Sequence, residues 1–154
     1  RYVPTYERFT EERRFEPLVQ NDFEQYLGQF PAQVFDKINE NFIRCSFFEL
    51  CSRYLSSCYT FAIEQNNSAG RSDFEMTGIP GTDYYKDDRL AEFKYFKAKA
   101  AERMLALSAP RPEDVAQVLA YAKDTKVKFP HYHVRSYIVY ICANKGWKCW
   151  EVTP

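Results

Sequence analysis

The sequence predicts an all-α protein of about five helices around one long central helix. Residues 31–65 contain no proline or glycine after the first position, and their apolar residues recur at intervals of three and four, as on one face of a helix. Only five glycines in 154 residues argue against a turn-rich β fold. We expect an N-terminal arm with short helices over 1–30 and a helical domain over 31–154, with a loop at 66–82 and a C-terminal helix-turn-helix hairpin.

The N-terminal arm cannot form one long helix, because residues 1–20 mix charged and aromatic residues and are bracketed by two prolines. A short helical piece over 6–15 is expected. Asn21 followed by Glu24 has the spacing of a capping box and predicts a second short helix that ends near Gly28.

The central helix carries more apolar residues than one packing partner can cover. At 1.5 Å per residue it would span roughly 50 Å, longer than a compact chain of this size is wide. Aromatic residues in excess of one core often anchor interfaces, although an arm packed on its own domain is equally compatible. The predicted partner-binding residues are the aromatics of the arm and of the spare helix face: Tyr2, Tyr6, Phe9, Phe15, Phe47, Tyr54, Tyr59 and Phe61.

Three further helices are predicted after the loop. Apolar residues at intervals of three and four indicate a helix from about 83 to 107, and prolines then separate it from helices over 112–126 and 130–146. Within the loop, Gly78–Gly81 lacks the Lys-Ser/Thr of a phosphate-binding loop and follows no predicted strand. The loop therefore does not favour nucleotide binding.

Composition and motifs indicate no enzyme. The chain balances 21 basic against 21 acidic residues, so its overall charge does not attract nucleic acid or an anionic membrane. His131 and His133 would face nearly opposite sides of a helix, and no serine or cysteine has an identifiable base partner. We therefore expect no catalytic, cofactor-binding or metal-binding residue. No apolar run reaches the length of a membrane-spanning helix.

The five cysteines include two pairs with the same spacing of seven, Cys51/Cys58 and Cys142/Cys149. Such pairs could be bridged between two antiparallel helices or could be buried, reduced thiols. We expect reduced thiols and no disulfide. The start at Arg1 is compatible with a processed precursor or with an arbitrary boundary.

The segment Glu113–Trp147 resembles a pentatricopeptide-type repeat: the second helix of one repeat, a short linker with Pro130, and the first helix of the next. Ala116 and Leu119 match the small and apolar positions of the second helix, and Cys142 and Gly146 match positions near the end of the first. The resemblance implies a helical hairpin of the tetratricopeptide-like kind that serves as a docking piece in large mitochondrial assemblies. In pentatricopeptide proteins the side chain at the position of Ser136 recognises an RNA base together with a second residue at the end of the same repeat. This chain stops before that second position.

These observations favour a non-catalytic accessory subunit of a large mitochondrial assembly, such as a respiratory complex, ATP synthase or the mitochondrial ribosome. Its partners would be other protein subunits, and any membrane association would be peripheral and through those partners. The alternative is an RNA-associated helical-repeat protein, and a third hypothesis is an enzyme whose site the sequence hides. In the RNA alternative the expected contacts are in the mildly basic C-terminal quarter: Arg135, Ser136, Lys145 and Lys148.

Overall fold

A mixed five-stranded β-sheet lies between two layers of helices in the computed structural model, which describes residues 3–67 and 70–154, and side chains over 6–63 and 74–154. The prediction of an all-α fold is therefore wrong. The protein is an α/β domain in which each face of the sheet is buried by helices. None of the described helices is long and apolar enough to cross a membrane.

Three helices precede the first strand in the chain, and two more lie between the third and the fourth strand. Short π and 3₁₀ turns over Asp22–Tyr26, Leu27–Gln29 and Ala32–Asp36 connect the second helix to the third. The helices are α1 (Val3–Glu12), α2 (Glu16–Asn21), α3 (Glu40–Leu55), α4 (Ala98–Leu105) and α5 (Pro112–Lys128). The strands are β1 (Tyr59–Asn67), β2 (Gly70–Gly78), β3 (Asp87–Phe96), β4 (His133–Cys142) and β5 (Gly146–Val152).

The strands follow one another across the sheet in chain order, from β1 at one edge to β5 at the other. All neighbouring pairs are antiparallel except β3 and β4, which run parallel. Parallel neighbours need a long crossover connection, and here α4 and α5 form it. The crossover places these two helices against the same face of the sheet.

Alternation along the strands separates two apolar clusters, one on each face. The larger cluster joins the sheet to the N-terminal helices, and Phe47 of α3 lies at its centre. The Phe47 ring is 5.0 Å from the ring of Phe74, 5.1 Å from that of Phe93 and 5.7 Å from that of Phe15. The smaller cluster joins the opposite face to α4 and α5 through Ala101, Met104, Val118, Ile138, Tyr140 and Cys142.

The predicted long helix over 31–65 is three elements instead of one. A 3₁₀ turn comes first, α3 covers only its middle, and its last part is strand β1. Asn39 begins α3, because its side chain accepts a hydrogen bond from the backbone N–H of Phe42 at 3.0 Å. After α3, residues 59–63 alternate bulky and small side chains and pair with β2, which a helix would not allow.

The helix cap at Asn39 can be tested. We expect Asn39→Ala to lower the free energy of unfolding by about 1 kcal/mol, because a backbone N–H in the first turn loses its acceptor. Urea unfolding followed by circular dichroism measures the change. Gln33→Ala, at an exposed position in the preceding 3₁₀ turn, is the control. Equal stability of the two variants would contradict the assigned cap.

Of the later predictions, one is confirmed: the helix over 112–126 is α5. The predicted loop over 66–82 contains strand β2, the predicted helix over 83–107 is β3 followed by α4, and the predicted helix over 130–146 contains β4. The pentatricopeptide-like hairpin over 113–147 is therefore wrong as well, since its second helix is a strand. An uninterrupted apolar run such as that of β4 is typical of a strand buried on both faces.

Candidate active site

Strand β3 buries three charged residues, which is rare for charged side chains without a structural partner or a function. Asp88, Arg89 and Glu92 have exposed fractions of 0%, 1% and 1%. Since strand residues alternate between faces, Asp88 and Glu92 lie on the face covered by α4 and α5, and Arg89 lies on the face of the N-terminal helices. The acidic side of β3 is therefore where we place the candidate site.

Glu92 and Lys94 form the centre of this site. They are two residues apart on one strand and so share a face, whereas Phe93 between them is buried in the larger apolar cluster. The Nζ of Lys94 lies 3.7 Å from Oε1 of Glu92. The Lys94 side chain remains 23% exposed although Glu92 is buried, so the amine lies at the boundary between the site and solvent.

Two more carboxyl groups lie on the same face. Asp88 contacts Thr77 of β2, with 3.5 Å between Oγ1 of Thr77 and Oδ2 of Asp88, and it shares a hydrogen bond with Glu75. Burial, and next the hydrogen bond with Glu75 and the charge of Glu75, raise the pKa of Asp88 to about 9. Asp88 is therefore protonated at neutral pH and adds no negative charge to this face.

A fourth carboxyl residue, Asp73, is placed by the pairing of β2 with β3. Phe74 pairs with Ala91, so the next register position on each strand brings Asp73 opposite Glu92. Directly opposed positions in an antiparallel pair belong to the same face of a sheet. The backbone register thus places Asp73 and Glu92 as neighbours although 18 residues separate them in the sequence.

Helix α5 covers this face of the sheet. Its inner side carries the buried Tyr121, whose hydroxyl accepts a hydrogen bond from Nε2 of Gln117 at 2.7 Å. Asp124 and Lys126 have the same acid-x-lysine spacing as Glu92 and Lys94, but they lie on helix α5. Side chains two positions apart on a helix are separated by about 200° around its axis, so these two do not share a face. Lys126 instead donates to the carbonyl of Tyr132. Of these two acid-x-lysine pairs, the described structure brings acid and amine together in the pair on β3.

The comparisons with known proteins agree with this geometry. A family model described as the PD-(D/E)XK nuclease superfamily matches residues 38–151. The chain belongs to this superfamily. Glu92, Phe93 and Lys94 match the (D/E)XK of the superfamily's name, whereas Asp73 follows Ser72 in place of the proline of PD. No curated protein and no solved structure matches the chain.

The superfamily implies a divalent cation, and the oxygen atoms on this face fit one. Mg²⁺ binds oxygen ligands, chiefly carboxylates and water. Oδ1 of Asp88 and Oε2 of Glu75 are buried on this face, and apart from the contact between the two carboxyl groups themselves no described residue pairs with these two atoms. The described side chains alone contain no group of three metal-binding residues, but the side chain of Asp73 is outside that set. Asp73 and Glu92 are the residues that would hold the cation.

Membership of a nuclease superfamily corrects three predictions. The non-catalytic accessory subunit and the prediction that the chain is no enzyme are both contradicted by the family match, and an RNA-associated helical repeat is not supported either. The relationship to pentatricopeptide proteins is replaced by the PD-(D/E)XK nuclease relationship. Location in mitochondria and association with other subunits stay predictions.

Most of the predicted partner-binding aromatics are used inside the chain. Tyr2 lies outside the described residues, whereas the others contribute to the larger apolar cluster. Tyr6 stacks on Tyr54 with 4.8 Å between ring centroids, and Phe15 stacks on Tyr137 at 4.3 Å. Five are buried and two are half-buried: Tyr6, Phe9, Phe15, Phe47 and Tyr59, and then Tyr54 and Phe61.

The four residues of the RNA alternative lie on the last two strands and the turn between them. Arg135 and Lys145 are exposed, Lys148 is half-buried, and Ser136 is buried on β4. Arg135 and Ser136 both line the cavity between β4 and α5, and Arg135 also lines two smaller cavities.

Asp73, Glu92 and Lys94 were not predicted as site residues, because the sequence pattern predicted a loop around Asp73 and a helix around Glu92 and Lys94. A signal was present in residues 73–77, which alternate polar and apolar side chains with the period of a half-buried strand. The same signal in β3 is weaker, since leucine, phenylalanine and phenylalanine also recur there at intervals of three. Had both segments been assigned as strands, the acid-x-lysine pattern would have stood beside an aspartate on a neighbouring strand.

Proposed function

We propose that this protein is a nuclease that hydrolyses phosphodiester bonds of nucleic acid with the help of a divalent cation. The observation that carries the proposal is the pair Glu92 and Lys94 on the covered face of β3, at the register position opposite Asp73. The family match supports the same reaction class. This face combines carboxylate oxygens for a hard cation with one amine that reaches solvent.

The chain's own residues have separate tasks in this reaction. When bound, a divalent cation neutralises charge on the phosphate and lowers the pKa of a water molecule that can attack phosphorus. Asp73 and Glu92 are the residues that would hold such a cation through their carboxylate oxygens. The Nζ of Lys94 can donate hydrogen bonds to the phosphate oxygens, on which negative charge accumulates as the bond to the leaving oxygen breaks.

The layer behind these residues keeps them in place. Protonated Asp88 shares a hydrogen bond with Glu75 on the same face, and Thr77 of β2 contacts Asp88. Because Asp88 is protonated at neutral pH, it adds no further negative charge beside Asp73 and Glu92. The leaving sugar oxygen must take a proton, and the exposure of Lys94 leaves this part of the site open to water as the proton source.

Cleavage by the purified protein tests the proposal. We expect it to cut single- or double-stranded DNA or RNA in Mg²⁺ or Mn²⁺, to stop when EDTA is added and to resume with excess cation. Asp73→Asn, purified in parallel, should have no cleavage above the buffer level, whereas Asp83→Asn in the loop before β3 should cleave like the unmodified protein. Cation-independent cleavage, or equal cleavage by the two variants, would refute the assignment.

A further inference from the structure

A second charged site lies on the opposite side of β3 from the candidate active site. A cavity of about 180 Å³ opens where β3 and β4 begin, at the paired positions Asp87 and His133. Four cationic residues line it together with a single carboxylate and a histidine: Arg13, Lys86, Arg89 and Arg135, with Asp87 and His133. In a chain with no net charge this is a concentrated positive site.

The buried Arg89 is the fixed part of this cavity. Its Nε donates to Oδ2 of Asp87 at 3.0 Å, its Nη1 donates to the hydroxyl of Tyr137 at 3.3 Å, and its guanidinium lies 5.0 Å from the ring centroid of Phe9. These contacts use two of the five N–H donors of a guanidinium. Asp87, the only carboxylate in the lining, also accepts from Tyr59 at 2.5 Å through the same oxygen. The negative charge of Asp87 is therefore already paired with Arg89 and Tyr59.

Two of the other cations are held by an unfavourable backbone. Arg13 and Lys86 have φ values of 59° and 75°, two of the three positive values at non-glycine residues in the described chain. Arg13 is oriented further by the ring of Tyr84, 4.2 Å away, and by the carbonyl of Asp83, 3.2 Å from its Nη1. Positively charged side chains that line one cavity repel one another unless an anion lies between them.

We infer that this cavity binds a phosphate dianion, either inorganic phosphate or the terminal phosphate of a nucleotide or oligonucleotide. The lining has four cationic residues and one carboxylate, and that carboxylate already has hydrogen-bond partners. The excess positive charge favours a ligand with about two negative charges, which a phosphate monoester carries at neutral pH. Guanidinium groups match phosphate oxygens in geometry. The volume suits a phosphate group but is below the ~300–1,000 Å³ of pockets that enclose a whole small molecule.

Phosphate binding can be measured in EDTA, so the inference does not depend on nuclease activity. We expect sodium phosphate at pH 7.5 to raise the melting temperature above that in sodium chloride of the same ionic strength. Calorimetric titration should then show at least about ten-fold weaker binding for Arg135→Gln, which removes charged hydrogen bonds. Arg103→Gln, an exposed charge on α4 outside the cavity, should bind like the unmodified protein.

Lys86→Gly separates binding from folding. Glycine adopts a φ of 75° without steric cost, so without phosphate this variant should melt at or above the temperature of the unmodified protein. With phosphate it should gain less than the unmodified protein does. If both Lys86→Gly and Arg135→Gln bind phosphate as Arg103→Gln does, or if the unmodified protein shows no phosphate-specific shift, the inference is wrong.

Two oligonucleotides of one sequence, with and without a terminal phosphate, identify the source of the anion. Tighter binding of the phosphorylated strand, lost in Lys86→Gly, supports the end of a nucleic acid as the ligand. Equal binding of the two strands together with binding of inorganic phosphate supports a small phosphate compound.

Discussion

Glu92→Gln should lower the rate of nucleic-acid cleavage by about a thousand-fold, the scale on which a single electrostatic contribution to an active site is lost. Glutamine keeps the size of the buried side chain but removes the negative charge. It also places an amide near the amine of Lys94, which lies 3.7 Å from the carboxylate in the unmodified protein. Both changes weaken the hold on a divalent cation, so Mn²⁺ binding measured by electron paramagnetic resonance should fall as well.

Lys94→Met separates cation binding from phosphate stabilisation. Methionine keeps most of the side-chain length without the charge, and we expect Mn²⁺ binding to persist while cleavage falls by about a hundred-fold. Glu102→Gln and Lys99→Met, both at exposed positions of α4, are the matched controls and should cleave normally. Circular dichroism confirms that each variant is folded. Full activity of Glu92→Gln in a folded protein would remove this residue from the site.

Asp22→Asn should stabilise the protein at pH 8 by about 3 kcal/mol and have little effect at pH 4. Asp22 is 1% exposed, and burial raises its pKa from 3.8 to about 8. Keeping this carboxyl ionised in the folded state would cost on the order of 5 kcal/mol by the shift alone. The amide avoids that cost, less the cost of burying its own N–H groups.

The direction of the pH dependence follows from the raised pKa. Between about pH 4 and pH 8 the folded state retains the proton on Asp22 and the unfolded state releases it, so the free energy of unfolding falls as the pH rises. Urea unfolding at pH 4, 6 and 8 measures this slope. It should flatten in Asp22→Asn but not in Asp36→Asn, which changes an exposed carboxyl group. An unchanged slope in Asp22→Asn would show that Asp22 is ionised in the folded protein.

Among the secondary elements, α5 was predictable because its signals are local. Pro112 stands in its first turn with Glu113 and Asp114, and Lys126 and Lys128 stand in its last turn, where they complement the helix dipole. Such preferences act within a few residues and depend little on the rest of the chain.

The strands were not predictable in this way, because their stability comes from partners far away in the sequence. Residues 59–63 and 133–142 are apolar enough for either a helix or a strand, and periodicity alone does not separate the two for such short runs. Residues 59–63 form a strand because they pair with β2, and residues 133–142 form a strand because they pair with β3. Tertiary context overrides the local preference here, as is usual for β-structure.

The candidate site depends on tertiary structure more than any other part of the protein. The sequence by itself determined the residues: an aspartate at 73 and the acid-x-lysine pattern of Glu92 and Lys94. It also determined the α5 helix that covers them. Only the register of β2 against β3 brings Asp73 opposite Glu92, and only the alternation of a strand gives Glu92 and Lys94 a common face. Helical spacing would have separated the same residues, so the choice between helix and strand, made by long-range pairing, creates the site.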